Sequence, residues 1–328
     1  MSYRCCIFLL IFSYLTENSF GIERGINTVK QDRYLSPNDS DQTAIDQDKK
    51  NSYLFSLDFG SNKTYSGRKD TVAQPYLAPD FTFTNKKDFY VYISTYRLQK
   101  QFDNANLGFG KDFRLPKKFK LGLSFAHTIF FNKESPQPSF YVSNNLDFFV
   151  KKKFNWLTTK LAFDMDFGRN EITSKKIVNG KITTVTKNVF IRDFGLTWSN
   201  YRAFYFDRIH LFSKNDELSV TPKFLINAGT QNAYILYYAA RYPSRQAKLE
   251  ADPELKEGIK KIRDPSKPDP FNDTKFLILN YEFKLSLTYS VKKFTFEPVI
   301  HFAMPRNQPD PSDNKPYAYY AFNASWDF

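Results

Sequence analysis

The sequence predicts an all-β fold, a transmembrane antiparallel β-barrel of about twelve strands with short turns at one end and long loops at the other. Apolar and polar residues alternate with period two in twelve segments of the 328-residue chain, and the connections between those segments alternate in length. Because successive strand side chains point to opposite faces, this alternation gives each strand one apolar and one polar face. The last segment, which ends on an aromatic residue, shows the same pattern.

Residues 1–21 have the features of a secretory signal peptide. Arg4 supplies a positive charge, Cys5 to Leu15 form an apolar run, and Ser19 and Gly21 are the small residues of a cleavage site. The run is too short to span a bilayer as a helix, although a buried first strand or helix is the alternative interpretation. Cleavage after Gly21 would leave a mature chain without cysteine and so without thiol chemistry.

Residues 22–51 are polar and lack periodicity, which predicts a flexible periplasmic extension before a barrel over 52–328. The predicted strands are 52–60, 76–84, 89–97, 105–113, 119–131, 139–150, 157–168, 188–199, 217–229, 276–289, 294–304 and 317–328. The connections after odd strands are 61–75, 98–104, 132–138, 169–187, 230–275 and 305–316. Those after even strands are 85–88, 114–118, 151–156, 200–216 and 290–293.

This asymmetry indicates short periplasmic turns and long extracellular loops, with both termini on the periplasmic side. Only 200–216 is long for a turn, and strand 188–199 extending into it is one explanation. Mean hydropathy is −0.52 and no second long apolar run exists, which excludes a helical membrane protein. A soluble β-sandwich would bury the same apolar stripes, but it explains neither the signal peptide nor the loop asymmetry.

The last strand carries aromatic side chains at alternate positions, namely Tyr320, Phe322, Trp326 and Phe328. This pattern resembles the C-terminal assembly signal of bacterial outer-membrane β-barrels. The resemblance implies an outer-membrane location, outer-membrane lipid as the surroundings and the barrel-assembly machinery as a partner. Segment 75–97, a Pro-led strand followed by a tight turn and an aromatic strand, resembles uncharacterised outer-membrane barrels of Bacteroidota, which implies a fold and a compartment without an activity.

Charges concentrate on the polar faces that would line the lumen. The chain carries a net charge of +13, but an exported barrel is not expected to meet nucleic acid, and no nucleic-acid motif is present. The inward positions carry bases at Lys120, Lys160, Lys223 and Lys284. They carry more acids: Asp58, Asp80, Asp112, Asp147, Asp164, Asp166, Asp193, Glu282, Glu297 and Asp327. This acid excess predicts a lumen that attracts cations, with Asp164, Asp166, Glu282 and Glu297 as the main contributors.

The hairpin 276–304 holds the densest cluster of predicted lumen charges. A turn at 290–293 would place Glu282 opposite His301 and Lys284 diagonal to it, with Glu297 inward on the same strand. Such a cluster can tune a pore, or it can fill and rigidify a narrow lumen. Lysines in the predicted periplasmic turns either are simply solvated or lie near anionic headgroups.

Enzymatic and cofactor functions find little support in the sequence. Outer-membrane phospholipases of twelve strands place a Ser two residues after a lipid-facing His, whereas Ile129 follows the predicted lipid-facing His127. No His or Cys spacing indicates a metal site, and no cofactor is expected. The sequence of loop 230–275 predicts a short helix from Asp252 to Ile262. This loop either contacts a partner or is simply compact.

Two functions remain open from the sequence. One is a narrow passive channel for small polar or cationic solutes. The other is a non-conducting structural or interaction barrel whose extracellular loops bind a partner or a surface.

Overall fold

The computed structural model describes residues 27–28, 51–61, 64–65, 75–98, 101–131, 143–178, 181–206, 212–213, 216–232, 275–307 and 314–328. The predicted signal peptide and the predicted helix Asp252–Ile262 lie outside these residues. In chain order the strands are β1 (Asn27–Thr28), β2 (Ser52–Gly60), β3 (Thr64–Tyr65), β4 (Tyr76–Thr84), β5 (Phe89–Leu98), β6 (Gln101–Leu115), β7 (Phe119–Phe130), β8 (Asn144–Lys153), β9 (Thr158–Val178), β10 (Lys181–Tyr201), β11 (Phe204–Tyr205), β12 (Glu217–Gly229), β13 (Leu277–Val291), β14 (Phe294–Pro305) and β15 (Tyr317–Asp327).

Twelve of these strands form a closed antiparallel barrel, as the sequence predicted. Its members are β2, β4 to β10 and β12 to β15, each paired with its neighbours in the chain. The ring closes where β15 pairs with β2, for example Asn323 opposite Asp58, and where β10 pairs with β12, for example Thr197 opposite Asn227. Closure leaves the barrel without an open sheet edge. The short strands β1 and β3 pair with each other in parallel, apart from the barrel.

Strand bounds follow the alternation closely in three places, since β2, β4 and β12 begin and end where the sequence predicted. Two predicted loops are wrong. β5 ends at Leu98 and β6 begins at Gln101, so the predicted loop 98–104 is mostly strand. β9 likewise ends at Val178 and β10 begins at Lys181, which turns the predicted loop 169–187 into a long hairpin. Backbone pairing continues there although the sequence has lost its apolar stripe.

Tight turns gather at one end of the barrel, here named the short-turn end, and the opposite end is named the long-loop end. In the β4–β5 turn the Asn85 side-chain oxygen accepts hydrogen bonds from the backbone N–H groups of Lys87 at 2.9 Å and Phe89 at 3.0 Å. Lys292, in the two-residue β13–β14 turn, has φ 53°. This is the left-handed region that reverses a hairpin most tightly.

The additional strand β11 continues β10 along the same partner. β10 pairs with β12 as far as Tyr201 opposite Lys223, and β11 resumes with Phe204 opposite Val220. The interpretation that strand 188–199 extends into 200–216 is therefore correct. Further along the chain, the Asp216 carboxylate accepts hydrogen bonds from the backbone N–H groups of Phe212 and Ser213 and from the hydroxyl of Tyr289, which lies on the outer face of β13.

Within the described part of the chain, no helix is both long and apolar enough to cross a membrane.

Candidate functional site: the barrel lumen

The two faces of the barrel wall differ sharply in chemistry. Phe283 on β13 is 41% exposed, whereas the adjacent Glu282 is 7% exposed, so neighbouring side chains lie on opposite sides of the wall. Exposed aromatic and aliphatic side chains recur around the barrel, including Phe55, Phe109, Phe163 and Phe302. The outside is thus an apolar belt, and the inside carries the ionisable groups.

Four carboxylates lie close together on the inner wall formed by β8, β9 and β10. Asp147 is directly opposite Asp164, and Asp166 is directly opposite Asp193. Asn145 donates a hydrogen bond of 2.6 Å to Asp166. The Asp164 carboxylate lies over Gly195, where a Cβ atom would come within 2.4 Å of it. The predicted lumen residues Asp164 and Asp166 therefore share one wall and one acidic patch.

Asp193, at the long-loop end of this patch, binds the residues that follow β12. Its carboxylate accepts hydrogen bonds from the Thr230 hydroxyl at 2.6 Å and from the backbone N–H of Asn232 at 2.7 Å. The Asn232 side chain in turn donates to the backbone carbonyl of Arg192 at 2.8 Å. These bonds fix the residues that follow β12 against the rim of β10.

Nearer the short-turn end, the same wall carries a row of lysines. Lys120, Lys151 and Lys160 lie directly opposite one another on β7, β8 and β9. Lys120 forms an ion pair of 2.8 Å with Asp112, and the Lys160 ammonium lies 4.8 Å from the centroid of the Phe149 ring. The acidic patch and the lysine row are thus separated along the barrel axis.

Lys151 corrects the sequence interpretation, which placed it in the turn 151–156. β8 continues to Lys153, and Lys151 shares the inner face with Asp147. Lys151 therefore adds a base to the inner face, and the acid excess is smaller than predicted. A run of three lysines does not show from sequence whether it belongs to a strand or to a turn.

On the opposite wall, Glu282, His301 and Tyr319 form a compact hydrogen-bonded cluster. His301 Nδ1 lies 2.5 Å from Glu282 Oε1, and the Tyr319 hydroxyl donates to the same oxygen at 2.9 Å. The His301 and Tyr319 rings are stacked, with centroids 4.2 Å apart. Glu282 thus accepts from both neighbours, which orients all three side chains.

The predicted register of this hairpin is wrong by two residues. The turn consists of Lys292 and Lys293 rather than 290–293, so Lys284 lies directly opposite His301 and Glu282 is diagonal to it. Lys223 is directly opposite Lys284, and its ammonium lies 5.4 Å from the Tyr201 ring centroid. Four predicted site residues, Glu282, Lys284, His301 and Lys223, therefore meet on β12 to β14.

Glu297 lies apart from that cluster, further along the inner face of β14. It is directly opposite Asn323, which donates a hydrogen bond of 2.5 Å to Asp58 on β2. Glu297 Oε1 is buried without a hydrogen-bond partner. The predicted lumen residues thus occupy three groups on different parts of the wall rather than a single site.

Aromatic rings cover several inward glycines, a feature that was not predicted from the sequence. Gly108 is directly opposite Tyr92 and Gly110 is directly opposite Tyr90. A Cβ atom on Gly108 would lie 2.2 Å from the Tyr92 ring. The same arrangement joins Gly60 with Tyr76 and Gly122 with Phe149. The sequence did contain a signal for this contact. Once the register of a hairpin is known, an inward glycine directly opposite an aromatic residue predicts that the ring covers the glycine.

Packing inside the barrel is uneven. Small inward side chains on one part of the wall have almost no exposure, with Ala78 and Asn280 at 0% and Ser94 at 1%. Inward residues on β7, β8 and β9 such as Ser124, Asp147 and Lys151 keep partial exposure. Inward side chains on β4, β5 and β12 are thus mostly buried, whereas those on β7 to β9 mostly keep partial exposure.

Aromatic rings join the strands where β15 meets β2. Trp326 stacks on Phe294 with centroids 5.6 Å apart, and Phe328 stacks on Tyr53 at 6.1 Å. The Phe328 backbone N–H donates to the Tyr53 carbonyl at 3.0 Å. Phe322 pairs with Phe296 at 6.5 Å, and Tyr320 is directly opposite Ile300 on the outer face. The four predicted signal residues therefore line the outside of the closing strand.

No protein-family model and no curated protein sequence matches the chain. Among solved structures, the chain is similar to the KdgM porin, with TM-score 0.41, 6% identity, and 84% of this chain and 99% of that chain covered. It is similar to the NanC porin, with TM-score 0.39, 10% identity, and coverage of 84% and 98%. It is also similar to an outer membrane channel from Pseudomonas putida F1, with TM-score 0.40, 7% identity, and coverage of 88% and 98%. With identities of this size and TM-scores below 0.5, these similarities establish neither a family nor a function.

Proposed function

We propose that the chain is an integral protein of the bacterial outer membrane, exported by its signal peptide and inserted by the barrel-assembly machinery. The apolar belt on the outside of a closed barrel supports this proposal. Closure pairs the backbone groups of all twelve strands, and the belt replaces water contact with hydrocarbon contact. The short-turn end then faces the periplasm and the long-loop end faces the exterior. The resemblance to Bacteroidota barrels stays a prediction about the source.

We further propose that the lumen is a narrow passive channel for small polar solutes, without an enzymatic role. The partly exposed wall β7–β9 carries this proposal, because Lys120, Asp147, Lys151, Lys160 and Asp166 all keep partial exposure there. A solute entering from the long-loop end would meet Asp147 and Asp166 before Lys151 and Lys160. Small cations are therefore favoured at the outer mouth, and the lysine row limits how far that preference extends.

A non-conducting barrel is the second candidate function, and a specific observation favours it. Ala78, Ser94 and Asn280 are inward residues with at most 1% exposure, which is expected of a filled interior rather than a water-filled pore. In that case the charge clusters hold the wall together, and the long loops bind a partner or a surface.

Single-channel recording in planar bilayers distinguishes the two functions. We expect stepwise currents with a preference for cations from the purified protein. The same preparation must show the shift in gel mobility on heating that marks a folded barrel. Absence of current from folded, inserted protein at high load would reject the channel and support the non-conducting barrel.

A further inference from the structure

One row of outward side chains interrupts the apolar belt on the β7–β10 side of the barrel. The row crosses four neighbouring strands. His127 on β7 is directly opposite Asn144 on β8, and Asn144 is directly opposite Phe167 on β9. Phe167 is in turn directly opposite Arg192 on β10. Arg169 also faces outward, two residues beyond Phe167 and opposite Phe190. Elsewhere on these strands the outer face consists mainly of side chains such as Leu146, Phe148, Phe163 and Phe194.

The height of this row corresponds to the outer edge of a membrane. β8 runs from Asn144 to Lys153, and its 10 residues begin at the row and end at the short-turn end. At about 3.3 Å per residue and a tilt of about 40°, this strand covers about 25 Å, the height of the apolar band of an outer-membrane barrel. β9 and β10 continue beyond the row, so in the proposed orientation the row lies near the level where the acyl chains end, with the outward Ile129 and Phe190 one step beyond it.

The contacts of Asn144 hold His127 in a defined orientation. The Asn144 side-chain nitrogen donates a hydrogen bond of 3.2 Å to the backbone carbonyl of Phe167, which can only accept. Its side-chain oxygen therefore faces His127, whose Nδ1 lies 2.9 Å away and must be the donor. In the singly protonated ring the other nitrogen, Nε2, then accepts a hydrogen bond, for example from the hydroxyl of a phosphomonoester on the membrane side, and His127 is exposed.

Two arginines complete the row at its other end. Arg169 and Arg192 are diagonal neighbours on one face, at a spacing of about 7–8 Å that long side chains can bridge. The Phe167 and Phe190 rings, with centroids 6.3 Å apart, lie between them in the register. Guanidinium groups match phosphate oxygens with paired hydrogen bonds.

We propose that His127, Asn144, Arg169 and Arg192 form a binding site for the phosphate-bearing headgroup of a lipid in the outer leaflet. The cationic groups would contact the phosphate, and the acyl chains would lie on the apolar surface below, over Leu146 and Phe148. A free anion in water would gain nothing from that apolar surface, which favours a lipid as the occupant. This inference rests on the proposed location in the outer membrane.

Native mass spectrometry of the intact barrel in detergent tests the site. The probes are phosphatidic acid, which carries a phosphomonoester, and phosphatidylcholine with the same acyl chains. We expect preferential retention of phosphatidic acid. The double variant Arg169→Gln/Arg192→Gln should lower its apparent affinity about tenfold or more, because it removes the charge-assisted hydrogen bonds that guanidinium groups donate to phosphate oxygens.

Two further variants keep the result interpretable. Arg306→Gln removes an exposed arginine at the same end of the barrel, on the far wall, and should leave retention unchanged. His127→Leu makes the outer face more apolar, so the barrel should still fold while its preference for phosphatidic acid falls. Equal loss of retention in Arg306→Gln would show a general charge effect and overturn the proposal.

The remaining outcomes separate this site from the proposed function. Displacement of the lipid by excess inorganic phosphate would assign the site to a free anion and reject the lipid. Folded protein that retains both lipids equally would also reject the site while leaving the outer-membrane proposal intact. Protein that fails to enter vesicles at all would instead reject the membrane location.

Discussion

Phe283 and Lys284 are neighbours in β13 whose side chains lie on opposite sides of the wall, near the middle of the strand. Phe283→Arg places a charge in hydrocarbon, and we expect it to lower the free energy of unfolding by about 2–4 kcal/mol. Lys284→Ala should lower it much less, because that side chain faces the polar interior. Unfolding of the two variants in lipid vesicles gives both values. Cysteines at 283 and 284 that react equally with a water-soluble reagent would show that the facing is wrong.

Gly108 provides a second test at the level of single residues, because the Tyr92 ring occupies the space that a Cβ atom needs. Gly108→Ala should destabilise the barrel by about 1–3 kcal/mol through overpacking. Adding Tyr92→Ala removes the ring, so the double variant should recover part of that loss, a coupling that a double-mutant cycle measures. Strictly additive effects would mean that the ring does not cover Gly108.

Individual residues also show which parts of the lumen could be predicted from the sequence. Alternation identified the inward faces that carry Asp164, Lys223 and Glu282, because a period of two follows directly from strand geometry. The residue directly opposite His301 could not be predicted correctly, since it depends on where the β13–β14 turn closes, although Glu282 was correctly placed beside His301. A lysine at φ 53° in that turn has no sequence signature comparable to Asn-Gly. A shift of two residues kept His301 inward but exchanged its opposite and diagonal neighbours.

At the scale of elements, the junction between β15 and β2 depends on aromatic contacts as well as on backbone pairing. Phe328 contacts both Tyr53 and Trp326, with ring centroids 6.1 and 4.9 Å away. We expect Phe328→Ser, or deletion of Phe328, to reduce the amount of heat-modifiable protein in the outer membrane sharply. Phe131→Ser is the matched control, an outward phenylalanine with 59% exposure at the other end. Equal membrane levels for the two variants would contradict a special role of this junction.

The hairpin β9–β10 shows why some elements escaped prediction. Its backbone ladder is continuous from Thr158 opposite Tyr201 to Val178 opposite Lys181. Beyond Asn170 the sequence is rich in Lys and Thr and has no apolar stripe, as expected for a part of the hairpin that lies outside the membrane in the proposed orientation. Periodicity reports burial or lipid contact rather than pairing itself. Strands such as β12, whose outward side chains are apolar, were therefore predicted correctly, and the outer half of this hairpin was not.

At the scale of the whole molecule, the acidic patch and the lysine row follow one another along one wall of the barrel, so a solute would pass them in turn. Neutralising Asp164 and Asp166 to Asn should reduce the cation preference of any current, most strongly at low salt, where fixed charges are screened least. Reversal potentials across a salt gradient measure this preference.

Lys151→Gln is a control for that experiment in which the expected change has the opposite sign. It removes a positive charge from the same passage and should increase the cation preference. An unchanged reversal potential in both variants, or an anion-selective wild-type pore, would show that the wall β7–β9 does not face the conducting path.

The length of β9 and β10 has a mechanical consequence. Each strand has 21 residues, about twice what a bilayer crossing requires. Between Phe167 and Val178 the paired strands rise about 30–40 Å along their own direction. Because the ladder is unbroken, continuous backbone hydrogen bonds join this arm to the barrel wall. In the proposed orientation the arm projects from the cell surface, so a pull at its tip would act on the strand that carries Asp164 and Lys160.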